Sequence, residues 1–374
     1  MVSKALGLMH WRGINVIVTI MVMFLLVSAT SSPAEENKYI PNGPFNTRNQ
    51  MPLYLFYVAP SPQKADTLKR GKIEADVSYH VSNVIIQQRP WPAEQFTSID
   101  GVGISDGQKN REWYTYIDTE VNRFDLNLSY GLEENMEISV DVPYFVFSGG
   151  YLDCFIENFE DAFSFIKTPN AREEKPCYEY EYELRNRGKP IIDSSSKQDG
   201  LGEITTYLKY RFLKEDKWYP TLSLRGGVKF PTATNDLLGS DKFDYALTLL
   251  LDKRIFNRLS LYFNISYVII DRPKIMDNLY SFKDNMFHGM LGAECFLTDK
   301  TSMIFQATAN TTVYDYSSMT PNGGVTSVCR DPVVLTLGFN HNFNDKLSWQ
   351  IAIDENTNSA APDFGVFTSL KVKL

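Results

Sequence analysis

Residues 73–81 read IEADVSYHV, and along this stretch apolar side chains alternate with charged or polar ones. Ile73 and Val77 fall on one face of an extended chain, and Asp76 falls on the other. Alternation with a period of two is typical of a β-strand whose two faces meet different surroundings. The same alternation persists to the C-terminus, where residues 364–374 read FGVFTSLKVKL. The sequence therefore predicts an all-β fold.

Twelve stretches follow this pattern, and each is about long enough for a tilted membrane crossing of roughly 9–11 residues. The predicted strands are 73–81, 124–130, 136–142, 204–212, 222–230, 243–251, 259–269, 287–297, 303–311, 333–343, 347–353 and 364–374. The polar face of these strands carries many full charges. This favours a membrane-spanning barrel with a wet interior over the alternative, a secreted soluble β-sandwich.

The connections between these strands alternate in length. Short ones fall at 133–135, 213–217, 298–300 and 344–346, and long ones at 82–112, 145–202, 231–242, 270–285 and 313–331. Outer-membrane barrels have short periplasmic turns, long extracellular loops and an even number of strands. We therefore predict an antiparallel transmembrane β-barrel over residues 71–374. Its last strand pairs with its first, because every backbone polar group in lipid needs a partner.

Two features leave the strand count open. Between residues 113 and 121 the apolar positions are odd-numbered, but after Phe124 they are even-numbered, which suggests a bulge or bend near Asn122. The repeat YEYEYE at residues 178–183 also alternates and is compatible with an extra hairpin. The prediction is about 12 strands, with 14 as the alternative.

Composition excludes several other classes of protein. The chain has 374 residues with 24 Phe and 21 Tyr, yet its mean hydropathy is only −0.25. A bundle of membrane helices needs several apolar runs of about 20 residues, and the one long apolar run lies at the N-terminus. The chain carries 37 Lys and Arg against 45 Asp and Glu, which argues against a nucleic-acid partner.

The N-terminus has the layout of a cleavable secretory signal. Lys4 and Arg12 precede an apolar core at residues 14–27, and small residues follow. We predict a signal peptide over residues 1–34, cleaved after Ala29 or Ala34, and export to the cell outer membrane. The alternative is a single membrane anchor, for which the apolar core is short.

Residues 35–70 form a separate N-terminal segment with an apolar run. An exposed apolar surface in the periplasm favours unwanted association, so this segment is a candidate plug inside the barrel. The alternatives are a periplasmic segment or an extra strand. The candidate plug residues are Met51, Leu53, Tyr54, Leu55 and Phe56.

Charged residues on the polar phase of the strands are predicted to face the lumen. They are Glu74, Asp76, Arg123, Asp125, Glu137, Asp141, Lys209, Arg211, Arg225, Lys229, Asp244 and Glu294. They either form a selective passage, as rings of charge do in channels, or pair with one another and hold a narrow barrel closed. Twelve strands lie between the size that is filled by side chains and the size that leaves a channel.

The cysteines and a helical pattern fall in the long loops. Cys154 and Cys177 are a candidate disulfide, with Cys329 as the competing partner, because an exported protein permits oxidation. No CxxC pair is present, so we expect neither a metal site nor another cofactor. Residues 151–165 have apolar residues at helical spacing and are a candidate short helix at the extracellular mouth.

His80 and Ser82 invite a comparison with the outer-membrane phospholipase, which has a His-x-Ser pair facing lipid. Here His80 shares the phase of Glu74 and Asp76 and therefore faces the lumen. We accordingly expect no enzyme activity, with lipid hydrolysis as the least favoured function.

Several phrases resemble an uncharacterised family of Gram-negative outer-membrane proteins, designated domain of unknown function three-one-eight-seven. They run in the family's order over nearly the whole mature chain: GP at 43–44, RNQMPLY at 48–54, DTEVNR at 118–123, YGL at 130–132, GGYLD at 149–153, GLGE at 200–203, KFPT at 229–232 and GS at 239–240. The resemblance implies an outer-membrane barrel and supplies no reaction.

Three functions remain open at this point. The favoured one is a pore or transporter for a small solute, in particular a hydrophobic one. The second is a structural or surface-interaction barrel without transport, and the third is the lipid-acting enzyme. The expected partners are outer-membrane lipid, lipopolysaccharide and the barrel-assembly machinery, with no nucleic acid.

Overall fold

The computed structural model describes residues 39–87, 113–152, 180–186, 189–277, 282–314, 329–358 and 360–374. Within these residues fifteen strands form one antiparallel sheet. They are β1 (Ile73–Gln87), β2 (Trp113–Glu133), β3 (Met136–Ser148), β4 (Glu181–Asn186), β5 (Lys189–Ser194), β6 (Gln198–Leu201), β7 (Thr205–Leu213), β8 (Thr221–Lys229), β9 (Asp244–Phe256), β10 (Leu259–Ile269), β11 (Asn285–Phe296), β12 (Thr301–Asn310), β13 (Val333–Asn342), β14 (Leu347–Asn356) and β15 (Phe364–Lys373).

Twelve of these strands close into a barrel. Strands β1 to β3 and β7 to β15 pair in sequence order, and β15 returns to β1 from Glu74↔Lys373 to Asn83↔Phe364. The closed antiparallel barrel, its strand number and the pairing of its last strand with its first confirm the prediction. Short turns gather at the end where β1 begins, the periplasmic end, and long connections gather at the extracellular end.

The other three strands extend the wall at the extracellular end. Strands β4 and β5 form a hairpin that adds to β2 above the membrane wall, from Asp118↔Glu181 to Trp113↔Asn186. Part of the YEYEYE repeat lies in this hairpin, so it extends the barrel without raising the strand number of the wall to 14. Strand β6 pairs with the upper part of β3.

A local irregularity interrupts the wall opposite β3, between the end of β6 and the start of β7. Tyr144 pairs with Leu201 on β6, while Asp141 pairs with Thr205 on β7. Two residues of β3 therefore face three residues of the opposite strand. An extra residue of this kind re-aims a side chain, and here Glu203 is buried in the interior.

The predicted bulge near Asn122 is wrong. The β1–β2 ladder runs without a shift from Ile73↔Tyr130 to Gln87↔Tyr116. Odd-numbered residues of β2 are buried along the strand, including Ile117 and Val121 above Arg123. The change of phase reflects a change in what fills the interior, from polar side chains near the periplasmic end to apolar ones near the extracellular end.

The outer face of the wall is apolar and exposed, as expected for contact with lipid. Val77 on β1 is 58% exposed, and Leu126, Phe305 and Ile353 on other strands are likewise exposed. The inner face is buried and mostly polar. No helix within the residues that the structure describes is long and apolar enough to span a bilayer.

Candidate functional site

The lumen is occupied by the segment that precedes β1, residues 39–70, here called the plug. Its first part, the entering arm (39–50), runs up the lumen from the periplasmic end. The amide of Phe45 donates to Gln306 Oε1 at 3.0 Å on β12, and Thr47 Oγ1 lies 3.3 Å from Thr336 Oγ1 on β13. Gln50 Nε2 lies 2.9 Å from His80 Nδ1 on β1. The arm therefore lies along β11 to β13 and reaches β1.

The plug turns at its apex (51–58), which holds all five candidate plug residues. A short 3-10 turn spans Pro52–Tyr54, and every side chain of the apex is buried. The apex packs in a group of inward-facing apolar residues near the extracellular end, here called the apolar cluster. Its wall and loop members include Val84, Ile86, Ile117, Val121, Phe145, Phe147, Leu238, Val268, Ile270, Met276, Met286, Val313 and Tyr314.

Tyr314 fixes the apex from the loop after β12. Its hydroxyl donates to the carbonyl of Leu53 at 2.7 Å and lies 3.1 Å from the hydroxyl of Tyr57. Burial raises the pKa of Tyr314 well above its ordinary value, so the hydroxyl stays neutral and remains a donor.

The return arm (59–70) descends along β7 to β10, the strands next to those that hold the entering arm. Arg225 Nη2 donates to the carbonyl of Ser61 at 2.6 Å, and the amide of Ala65 donates to Asp252 at 2.6 Å. The arm then passes Gly131 near the periplasmic end of β2. A Cβ at Gly131 would lie 2.2 Å from the carbonyl oxygen of Lys69, so only glycine fits beneath the arm.

The wall binds the backbone of the plug more than its side chains. Acidic and amide groups accept its N–H groups, and basic groups donate to its carbonyls: Glu137, Asp244, Asp252, Glu294, Gln306, Lys209, Arg225 and Lys229 all do so. Buried backbone groups outside regular structure need such partners. The arms have no strand of their own, so the polar wall takes the place of a neighbouring strand.

The twelve predicted lumen charges lie on the inner side of the wall. Several pair with one another or with neighbouring wall residues: Arg123 with Asp125 at 2.7 Å, Lys209 with Glu137 at 2.9 Å, Asp76 with Lys371 at 3.7 Å and Glu74 with Lys373 at 4.0 Å. Others pair with the plug, namely Asp141 with Arg48, and Arg211 with Asp66. The charges therefore serve both the wall and the plug.

A buried cluster around Lys229 joins the apex to the wall. The Lys229 ammonium contacts Glu203 and Asp244, the latter at 2.8 Å, and donates to Ser240 Oγ and to the carbonyl of Phe56. Asp244 in turn accepts from the amide of Val58 at 2.9 Å. Glu203, Gln306, Asn264 and Thr336 were not among the predicted site residues. Gln306, Asn264 and Thr336 lie on strands, and their position on the inward-facing phase could have identified them from the sequence.

A small cavity lies between the plug and the wall, where the polar lumen meets the apolar cluster. It has a volume of about 30 Å³. Its lining combines the cations Arg48, Arg123 and Lys229 with Tyr54, Tyr57 and Phe145.

His80 and Ser82 are buried in the lumen beside Asp354. His80 Nε2 lies 2.6 Å from Asp354 Oδ2 and 3.3 Å from Ser82 Oγ, while Nδ1 faces Gln50. A Ser-His-Asp relay needs the hydroxyl and the carboxylate on opposite ring nitrogens. Both lie on Nε2 here, so the group fits a link between plug and wall better than a nucleophile.

Some predicted features lie outside the described residues: the signal peptide, the disulfide candidates Cys154 and Cys177, and all but the first two residues of the candidate helix at 151–165. Within the described part, Cys295 is exposed on the outer face of β11. No group of His, Cys, Asp and Glu in that part has the arrangement of a metal site.

Comparisons with known proteins were made for the whole chain. The profile of a family described as protein of unknown function (DUF3187) matches residues 17–374. No curated protein sequence matches at a significant level.

Among solved structures, the COG4313 outer membrane channel from Pseudomonas putida F1 is similar, with a TM-score of 0.52 and 13% identity over 84% of this chain and 100% of that one. A Pseudomonas aeruginosa FadL homologue has a TM-score of 0.37 and 12% identity over 81% of this chain and 90% of that one. The first likeness places the chain in the fold of outer-membrane β-barrels.

Proposed function

The chain belongs to the DUF3187 family, and on that premise we propose that it is a gated outer-membrane channel for a small apolar solute. The observation that carries the proposal is the plug, which enters from the periplasmic end, turns in the apolar cluster and leaves beside β1. A barrel of this size has room for a passage only if that segment moves.

The apolar cluster defines the kind of solute. Binding sites for small molecules are mostly apolar, with a few polar groups that fix orientation. The apex places Phe56 and Leu53 in such surroundings, both without exposed surface. A small apolar solute would replace these side chains in the cluster, and the apex would withdraw.

The two arms differ in how they are held. The return arm continues through Gly71 into β1 and is tethered to the wall, where the amide of Gly71 donates to the carbonyl of Gly131 at 2.8 Å. Within the described residues, which begin at Tyr39, side-chain and backbone contacts alone hold the entering arm on the wall. We therefore propose that the channel opens by withdrawal of the entering arm and apex.

A reversible lock tests this proposal. With the four native cysteines replaced by serine, Thr47→Cys together with Thr336→Cys joins the entering arm to β13, where the native hydroxyls are 3.3 Å apart. The matched control, Gln63→Cys with Asn264→Cys, joins the tethered return arm to β10. There the backbone amide of Gln63 donates to Asn264 Oδ1 at 2.9 Å.

Conductance in planar bilayers and solute uptake into vesicles are then measured with and without reductant. We expect removal of residues 39–70 to give a permanently open barrel. The entering-arm lock should keep its barrel closed until reductant is added, and the return-arm lock should change little. A plug-deleted barrel that neither conducts nor takes up solute would falsify the proposal and leave a structural or surface-interaction barrel.

We further propose that the protein reaches the outer membrane through a cleavable signal and the barrel-assembly machinery, with lipid and lipopolysaccharide as its surroundings. A heat-modifiability gel on washed outer membranes tests this location. A folded barrel there shifts mobility on boiling, and its absence from that fraction contradicts the proposal.

A further inference from the structure

The small cavity beside the apex carries hydrogen-bond donors that lack acceptors. Arg48 bonds Asp141 and Asn46 through its terminal nitrogen Nη2, but its Nε has no partner within the described residues. Asn49 accepts from the amide of Met51 at 2.9 Å, which assigns its oxygen, and leaves Nδ2 without a partner there. Both side chains are more than nine-tenths buried.

Arg123 adds a third set of donors to the same cavity. Its Nε donates to Asp125 at 2.7 Å, and its guanidinium lies over the ring of Phe145 at 5.1 Å. Its two terminal nitrogens have no hydrogen-bond partner in the part of the chain that the structure describes. Arg123 is 6% exposed, so most of its side chain is buried.

The carboxylate that lines the cavity is already in use. Glu203, the carboxylate in the lining, receives Lys229, Ser240 and the amide of Asp241. Each cation of the lining has a carboxylate partner: Asp141 for Arg48, Asp125 for Arg123, and Glu203 with Asp244 for Lys229. What the cavity lacks is therefore an acceptor, and a buried donor without one is costly.

We propose that this cavity binds the carboxylate of a small apolar acid. The inference rests on the proposed function, because it assigns the class of solute that the closed channel binds before the entering arm and apex withdraw. A guanidinium presents donors in a fork that matches a carboxylate, and a volume of about 30 Å³ admits a group of that size. Tyr54, Tyr57 and Phe145 on the lining direct the apolar body of the acid toward the apolar cluster.

Calorimetric titration of the purified full barrel in detergent tests the assignment, with benzoate as the probe and methyl benzoate as its neutral counterpart. We expect benzoate to bind more tightly than the ester at neutral pH. Arg123→Gln should weaken benzoate binding at least about tenfold and leave the ester unchanged, because a charge-assisted bidentate contact is lost. Heat-modifiable mobility of each variant verifies that the barrel is folded.

A second variant leaves the wall untouched. Asn49→Asp keeps the oxygen that accepts from Met51 and replaces the free donor with a charge, so benzoate binding should fall further than in Arg123→Gln. Arg185→Gln is the control, since Arg185 lies on β4 outside the barrel wall and pairs with Asp193 at 2.9 Å; it should bind both probes as the wild type does.

The outcomes separate the two proposals. Equal affinities for benzoate and its ester, or equal losses for both in Arg123→Gln, overturn the carboxylate assignment whatever the channel does. Selective benzoate binding in a barrel that never conducts supports the site and contradicts the channel.

Discussion

The polar lumen and the apolar cluster hold the same segment by different physics. In the polar lumen, wall side chains such as Gln306 and Asp252 bind the backbone of the two arms. In the apolar cluster, the wall packs against the side chains of the apex, such as Phe56. Hydrogen bonds are directional, and when one partner is lost the other is left buried without a hydrogen bond. Apolar contacts weaken in proportion to the area that is removed.

This difference bears on how the proposed channel would open. The proposed apolar solute would compete with the apex in the cluster, where any group of suitable size and shape is tolerated. It offers nothing to the backbone of the arms, whose polar partners must be replaced by water once the arm moves. On that proposal, the apex senses the solute, and the arms set the free energy needed for opening.

Lys229 joins the two regions, so its loss should have the largest effect. Lys229→Met leaves Glu203 and Asp244 buried without their cation, and removing one partner of a buried ion pair costs about 3–5 kcal/mol. We expect the free energy of unfolding to fall by this amount. A urea titration of the barrel in vesicles measures it, with heat-modifiable mobility as the readout of the folded fraction.

Arg70→Met is the control for charge removal. Arg70 Nη1 lies 3.7 Å from Glu133 Oε2, and the two side chains are 70% and 54% exposed. Such a pair contributes less than about 1 kcal/mol. If Lys229→Met unfolds at the same urea concentration as Arg70→Met, the cluster does not join the two regions as described.

Two glutamines test whether the polar lumen acts through its bonds to the plug. The side chain of Gln306 makes three hydrogen bonds to Phe45 and Thr47. The side-chain amide of Gln350, equally buried on β14, has no partner within the described residues. Each orphaned buried group costs about 1–3 kcal/mol, so Gln306→Leu should weaken plug docking by about 2–4 kcal/mol.

Gln350→Leu should change docking by less than about 1 kcal/mol, because it removes an amide that bonds nothing there. Hydrogen exchange of residues 39–70, followed by mass spectrometry, measures both effects as lost protection. Equal loss of protection in the two variants would mean that filling the lumen, rather than bonding the backbone, holds the plug.

The wall was predictable from sequence because its signal is local. On β1 and β15 the outward face meets lipid and the inward face meets polar groups, so alternation alone marks each strand. The same reasoning failed on β2, where Ile117 and Val121 are apolar yet point inward. Alternation shows that two faces differ, but it does not show which one faces the lipid when the interior itself becomes apolar.

The site was predictable only in part, because it depends on contacts between residues far apart in the chain. The inward phase identified charges such as Arg225 and Asp244 as lumen residues. Nothing local indicated that Arg225 binds the carbonyl of Ser61, or that an interrupted strand brings Glu203 to Lys229. The path of the plug is set by more than a dozen such partners at once, and no spacing encodes it.

Tyr314→Phe should have the smallest effect, and it separates bonding from packing within the apolar cluster. The change removes the donor to the carbonyl of Leu53 and keeps the ring, so docking of the apex should weaken by about 1 kcal/mol. Tyr267→Phe is the matched control, because Tyr267 lies 42% exposed on the outer face of β10. Hydrogen exchange at residues 51–58 should rise several-fold in Tyr314→Phe and stay unchanged in the control. An unchanged rate in both variants would show that ring packing alone holds the apex, and that the hydroxyl only satisfies its own need for a partner.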